Sequence, residues 1–238
     1  MLTILKSIVK RPLNFIGVDL IRYQPRHQLG PYAFVASFDI KTVIDVGAHA
    51  GEFAQMIMGI IPKAQIISFE PQQAEFQQLQ RSMGHRSRFK AFNFAVGDNN
   101  GTTSFHRSGY SQSSSLLPMA NLHKQAFPES ASETQETVEI RTLDDALKRY
   151  PLEPEILLKI DVQGYEDRVI LGARSTLAKC KLIIIEVSFR ELYEGQPLFD
   201  TVYKMLNTEG FAYMGNLYQL LNPLDGSPLQ ADALFVRP

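Results

Sequence analysis

Asp45-Val46-Gly47-Ala48-His49-Ala50-Gly51 puts an acidic residue, two glycines and a histidine into one short turn between an apolar segment and a helical one. In an open parallel sheet, ligands bind outside the carboxyl ends of the strands, where such turns lie. Gly47 lets a ligand approach the backbone closely. Gly51 permits tight strand–helix packing, and the helix that follows offers unpaired amides. Glu70 ends a second apolar segment 19 residues after Gly51, the place from which a carboxylate accepts hydrogen bonds from both ribose hydroxyls. Pro71 then stiffens the connection. This spacing predicts a nucleoside cofactor, against the plainer reading in which the glycines only permit a tight connection. A dinucleotide fingerprint needs glycine at positions 49 and 52, where this chain has His49 and Glu52. Asp45, with no basic residue beside it in the turn, argues against pyrophosphate and for a cofactor carrying an ammonium and a sulfonium.

A second constellation is Lys159-Ile160-Asp161-Val162-Gln163-Gly164-Tyr165-Glu166, which closes another apolar segment. Its polar groups belong at the same rim as the turn, so Asp161 and Gln163 are candidate cofactor contacts. Asp161 is the candidate for chemistry. It would take a proton from a hydroxyl, or hold a divalent ion with Glu186, which ends the next apolar segment. The structural alternative is that Asp161 and Glu166 stabilise the start of the following helix. Lys159 would snorkel or pair with a carboxylate. His49, within the turn, is a second candidate base. His85, His106 and His123 are scattered, without a metal-ligand spacing.

These residues need strands and helices in alternation to bring them together. Thr42 to Gly47, Gln65 to Pro71, Arg88 to Gly97, Ile156 to Asp161 and Lys181 to Val187 read as strands, and Ala231 to Pro238 as a last one inside the sheet. Glu52 to Ile61, Gln72 to Ser82, Leu143 to Tyr150, Glu166 to Ala178 and Pro197 to Thr208 read as helices. Such alternation predicts an α/β protein with a parallel sheet covered on both faces. Between Asp98 and Glu136 the pattern gives way to Asn, Gly, Ser and Pro, including the serine-rich run Ser111 to Ser115. A segment this long is a lid or binding loop, or else a linker, with TTSFHR and TVEIRT as short strands inside it.

VIDVGAHAGEFA, ISFEP, FNFAVGD, VEIRTLDDAL, LLKIDVQGYEDRVILGA and IIIEV, in this order between about Thr42 and Val187, resemble the FkbM family of S-adenosylmethionine-dependent methyltransferases. The resemblance implies a Rossmann-like class I methyltransferase fold with a seven-stranded, mostly parallel sheet whose last strand is antiparallel, and O-methylation as the usual reaction. By position it implies that Asp45, Gly47, Ala48 and Gly51 line the methionine portion of the cofactor. It also implies that Glu70 meets the ribose and that Ala95 and Val96 flank the adenine. Gln163 departs from the family pattern, which commonly has glutamate there. A nicotinamide-dinucleotide oxidoreductase, and a non-catalytic module that keeps the fold, are the alternative readings.

With 238 residues, a net charge of −1, 21% charged and 45% hydrophobic residues, the chain has the composition of an ordinary globular protein. A near-neutral balance excludes a general nucleic-acid binder. A single cysteine, Cys180, excludes an intrachain disulfide and a thiolate metal site and fits a reducing cytoplasm. No apolar run is long enough to span a bilayer. Leu2, Leu5, Ile8 and Val9 predict a short amphipathic helix, more simply a packing element than a membrane anchor. The expected organisation is a helical extension over 1–40, followed by a methyltransferase domain over 41–238 with an insertion at about 98–136. A small-molecule, sugar or glycan acceptor is expected, with a homo-oligomer as a further expectation.

Overall fold

The computed structural model describes residues 25–238, and the amphipathic segment from Leu2 to Val9 lies outside them. Pro25–Ser37 winds into 3-10 turns that break at Gly30 (φ 63°, ψ −163°). Residues 34–238 form one compact unit.

Ten strands follow: β1 (Thr42–Val46), β2 (Gln65–Phe69), β3 (Phe89–Phe92), β4 (Ala95–Gly97), β5 (Gly101–Ser108), β6 (Glu133–Thr142), β7 (Ile156–Ile160), β8 (Cys180–Ser188), β9 (Ala212–Leu221) and β10 (Pro228–Val236). Between them lie α1 (Glu52–Ile60), α2 (Gln73–Met83), α3 (Asn121–Ala126), α4 (Leu143–Leu147), α5 (Glu166–Leu171), α6 (Arg174–Leu177) and α7 (Phe199–Thr208). Seven strands form one sheet in the order β3-β2-β1-β7-β8-β10-β9, and β4, β6 and β5 form a second, smaller one. The central strands are buried on both faces, which is why they read as continuous apolar runs. β10 is antiparallel to both of its neighbours, while β1, β2, β3, β7 and β8 run parallel. Helices cover both faces.

The strand order turns at β1, from which the chain runs outward through β2 and β3 before returning to β7 on the other side. Crossover connections diverge there and leave a crevice at the carboxyl ends of β1 and β7. Ile44, Val46, Ile67, Leu158, Ile160, Ile183 and Ile185 pack beneath it in the main core.

Two expected elements are divided. Arg88 to Gly97 is not one strand, because the Asn93 side-chain amide donates to the carbonyls of Glu70 (2.9 Å) and Pro71 (3.0 Å) and ends the ladder with β2. The chain then joins β6 as β4. The helix expected over 166–178 breaks at Gly172, where a Cβ would stand 1.9 Å from the Gly97 carbonyl oxygen. That close approach leaves room only for glycine. Segment 98–136, open to reading as lid or linker, is folded: it holds β5, 3-10 turns, α3 and the first residues of β6.

Candidate active site

The turn after β1 is built by the strands on either side of it. Gly47 and Ala48 both donate their amides to the Phe69 carbonyl at 3.0 Å, and Asp161 donates to the Val46 carbonyl at 3.0 Å. Gly47 has φ 79°, and a Cβ there would lie 1.8 Å from the Asp161 carbonyl oxygen. The ends of β1 and β7 are therefore in direct backbone contact. His49 also takes a left-handed conformation (φ 48°), a strained one for a side chain with a Cβ. It is held there because its amide donates to Glu70 Oε2 at 2.8 Å, while the Gln72 amide donates to Glu70 Oε1 at the same distance. Burial pushes the Glu70 carboxyl up to about 7, against the lowering effect of those two amides.

Asp45 is fully buried and in register with Lys159 on β7, whose Nζ lies 3.9 Å from Asp45 Oδ1. The expectation of a turn with no cation beside Asp45 is thus corrected, because the partner comes from the adjacent strand and not from the neighbouring sequence. Oδ1 has no hydrogen-bond partner among the described residues, and Ser68 Oγ lies 3.4 Å from Oδ2. Burial, partly offset by Lys159, pushes Asp45 up to about 6.

Lys159 also reaches Asp161 Oδ2 at 3.0 Å. Burial disfavours its charge, but Asp161 and Asp45 outweigh that and hold the ammonium above its ordinary range. Asp161 remains partly open to solvent, with 30% of its side chain exposed. Gln163, again left-handed (φ 58°), points its amide nitrogen at both Asp161 Oδ1 and Glu186 Oε2, each at 2.8 Å. Gln230 Nε2 donates to the same Glu186 oxygen at 2.8 Å. Burial, reinforced by Asp161, Glu166 and Asp232, holds Glu186 well above the usual carboxylate range.

This corrects the expected metal pair. The space between Asp161 and Glu186 is bridged by an amide donor, and among the described residues no three His, Cys, Asp or Glu side chains gather to hold an ion. The residues present do not fit a divalent cation. Asp161 also does not cap the helix after it; Glu166 instead accepts the Val162 and Gly164 amides at 3.2 and 3.1 Å, and burial pushes its carboxyl up to about 7.

Residues with no motif of their own complete the site. Tyr193 is fully buried, its Oη 2.8 Å from Gln163 Oε1 and 3.0 Å from the Ser113 carbonyl. The serine run lies across both halves of the rim. His49 Nε2 meets Ser111 Oγ at 2.8 Å, Gln72 Nε2 donates to the Ser111 carbonyl at 3.2 Å, and Ser115 Oγ donates to the Gln163 carbonyl at 2.6 Å. Ala95 and Val96, expected beside the adenine, are buried at β4. Ala95 packs with Phe105, Val138 and Ile140, and Val96 joins the main cluster. The break at Asn93 is what carries them inward.

His123 is buried edge-on against Phe127 and Tyr193, and burial holds it down to about 4. His106 lies 3.8 Å from Glu133 Oε1. Cys180 is buried, its thiol pushed up to about 12.

The raised carboxyls set the pH dependence of stability. Asp45, Glu70 and Glu166 keep their protons in the folded chain to about 6, 7 and 7, against 3.8, 4.5 and 4.5 ordinarily, so they stabilise the fold at acid pH and lose that contribution as pH rises through 6 to 7. His123 opposes them, losing stability as pH falls below 6.5. Glu186 adds to the same sign, so the net expectation is a fold more stable at pH 6 than at pH 8 by about 2 kcal/mol or more. Urea unfolding at the two pH values reads this directly, and equal or reversed stabilities would contradict it.

A doubly wound sheet with one reversed strand next to its edge, and a glycine turn facing an acidic residue on the neighbouring strand, define a Rossmann-like class I methyltransferase fold. Residues 45–213 match the Methyltransferase FkbM domain, and the chain belongs to that family. It is 34% identical over 161 residues to 2-O-methyltransferase NoeI of Sinorhizobium fredii (strain NBRC 101917 / NGR234), covering 65% of this chain and 66% of that one. It is 26% identical over 198 residues to AMB antimetabolite synthetase AmbE of Pseudomonas aeruginosa, covering 71% of this chain and 9% of that protein. In structure it is similar to methyltransferase FkbM from Methylobacillus flagellatus KT, with a TM-score of 0.51 and 17% identity over 83% of this chain and 44% of the other. The chain therefore spans just under two thirds of the first relative and a small part of the second.

Proposed function

We propose that the chain is an S-adenosylmethionine-dependent O-methyltransferase whose acceptor is a hydroxyl of a small molecule, sugar or glycan. The observation that carries this reading is the convergence of the β1 turn, Glu70 and the partly exposed Asp161 on one rim, with the β1 and β7 backbones in contact. Family membership supports the cofactor, and similarity to a protein named as a 2-O-methyltransferase supports oxygen as the methylated atom.

The residues fit such a cofactor. Asp45 Oδ1, Gln72 Oε1 and Glu75 Oε2 are buried acceptors with no hydrogen-bond donor among the described residues, an arrangement that suits a ligand rich in hydrogen-bond donors. Gly47, Ala48 and Gly51 would border the methionine portion together with Asp45, and Glu70 and Pro71 the ribose. When bound, the cofactor supplies an activated methyl group on a sulfonium. The protein then has to align the acceptor oxygen and receive its proton. Asp161 carries that second role, held by Lys159 and Gln163 while one side stays open. His49, the other candidate base, has Nε2 engaged by Ser111 and Nδ1 3.3 Å from Glu52, which suits it to holding the turn.

We read residues 41–238 as the methyltransferase domain, with 98–136 inserted in it and 1–40 as an extension. No helix among the described residues is long and apolar enough to cross a membrane, and near-neutral charge offers no nucleic-acid footprint. We assign the chain to the cytoplasm and leave a homo-oligomer as a proposal. Calorimetric titration with S-adenosylhomocysteine is expected to show saturable one-to-one binding that S-adenosylmethionine competes away. Absence of binding, or binding of a nicotinamide dinucleotide in its place, would overturn the reading.

A further inference from the structure

Gln163 stands in a left-handed conformation (φ 58°) and is followed by a second left-handed residue, Gly164 (φ 98°). Such a backbone is unfavourable for a residue with a Cβ and persists only where the surroundings fix it, most often at functional sites. Two neighbours fix it here. Ser115 Oγ donates to the Gln163 carbonyl at 2.6 Å, and Tyr193 packs so close that a Cβ on Gly164 would lie 3.1 Å from Tyr193 Cβ.

The side-chain amide is held at both ends. Nε2 has two protons, and they go one to Asp161 Oδ1 and one to Glu186 Oε2, each at 2.8 Å. Oε1 accepts from Tyr193 Oη at 2.8 Å, and the same hydroxyl lies 3.0 Å from the Ser113 carbonyl. An inverted amide would set its oxygen against two carboxyl groups. Asp161 is thereby gripped at both oxygens, Oδ1 by Gln163 and Oδ2 by Lys159, while 30% of its side chain stays open. Two carboxyl groups that meet at one point are ordinarily joined by a shared proton or a cation. Between Asp161 and Glu186 the positive pole is an amide nitrogen.

Resting on the methyltransferase reading, we propose that Gln163 is a positioning residue that joins Asp161 to Glu186 in place of a cation and so aligns Asp161 for the acceptor proton, with Tyr193 setting the direction of the amide. Gln163→Glu keeps the length of the side chain but turns the donor into a third anionic oxygen ligand, so that one substitution should convert the bridge into a divalent-cation site.

The test begins with manganese chloride titrated calorimetrically into the whole chain. The parent is expected to show no saturable binding, and Gln163→Glu one-to-one binding. With S-adenosylhomocysteine, Gln163→Met and Tyr193→Phe should bind within about threefold of the parent, as side chains that touch Asp161 and each other rather than the cofactor. With an acceptor found by screening hydroxyl compounds, kcat should fall about 10²-fold for Gln163→Met and about tenfold for Tyr193→Phe at unchanged KM. Manganese should raise the rate of Gln163→Glu by about tenfold or more and leave the parent and Gln163→Met unmoved. That selective rescue separates positioning from a defect of folding.

Saturable manganese binding by the parent, or none by Gln163→Glu, would overturn the proposal. So would a Gln163→Met protein with the parental kcat, or one that loses S-adenosylhomocysteine affinity in step with turnover, which would make Gln163 a cofactor contact. If the parent binds no S-adenosylhomocysteine, the methyltransferase reading fails and the assignment of Asp161 with it. If the parent binds and turns over while Gln163→Met matches it, only the positioning role fails.

Discussion

Asp161→Asn is expected to lower the rate of methyl transfer by about 10²- to 10⁴-fold while leaving S-adenosylhomocysteine affinity within about threefold. Asparagine preserves the shape of the side chain and its place between Lys159 and Gln163, but it cannot receive the proton of an acceptor hydroxyl. Binding and turnover therefore separate, which a merely structural role for Asp161 would not produce. The measurement is S-adenosylhomocysteine release with an acceptor found by screening hydroxyl compounds against methyl-labelled cofactor, alongside a binding titration. Turnover within threefold of the parent would remove Asp161 as base. A parallel loss of affinity would make it a positioning residue instead.

Gly47→Ala is expected to cost about 3 kcal/mol or more of stability and to abolish S-adenosylhomocysteine binding. Two penalties add. The left-handed φ of 79° is unfavourable for alanine, and the new methyl group would stand 1.8 Å from the Asp161 carbonyl oxygen, so that β1 and β7 must part at the rim. Gly59→Ala, in the interior of α1 with nothing within 4 Å of the added Cβ, is the control and should be neutral or gain about 0.5 to 1 kcal/mol. The urea midpoint should fall for Gly47→Ala and hold or rise for Gly59→Ala. A Gly47→Ala protein as stable as the parent would show that the contact between the strands is dispensable.

Legibility in the sequence followed how local the determining physics was. β1, β2, β7 and β8 declare themselves because strands buried on both faces must be apolar throughout, and the turn at Gly47 declares itself because only glycine tolerates its backbone. Glu70 was legible from its distance to that turn. Gln163 was visible as a departure from the family pattern, but its function as a bridge between Asp161 and Glu186 depends on β7 and β8 lying side by side. Asn93 looked like one residue of a continuous strand. It ends that strand through two bonds to a turn some twenty residues earlier, and this single side chain accounts for the division of the expected strand, which moves Ala95 to Gly97 to the smaller sheet. Tyr193 carried no signal at all, because its partners come from residues 113 and 163. The serine run was conspicuous in composition, yet its partners at both ends of the rim follow only from the folded path of segment 98–136. Lys159 was recognisable as a buried cation needing a carboxylate; Asp161 lies two residues along the same segment, and the register with β1 then adds Asp45.

The place of β10 between β8 and β9 has a consequence for how the chain is made. A polypeptide emerges from its amino end, so β9 is synthesised before the strand that must separate it from β8. Until Pro228–Val236 has emerged, β9 has no ladder of its own to join and β8 presents an unsatisfied, strongly apolar edge, the kind of surface on which nascent chains associate wrongly. Completion of the sheet is a late, single insertion that satisfies both edges at once. Ribosome-bound chains stalled before residue 228 should therefore be open to proteases and holdase chaperones across β8 and β9, and released chains should be protected at both together.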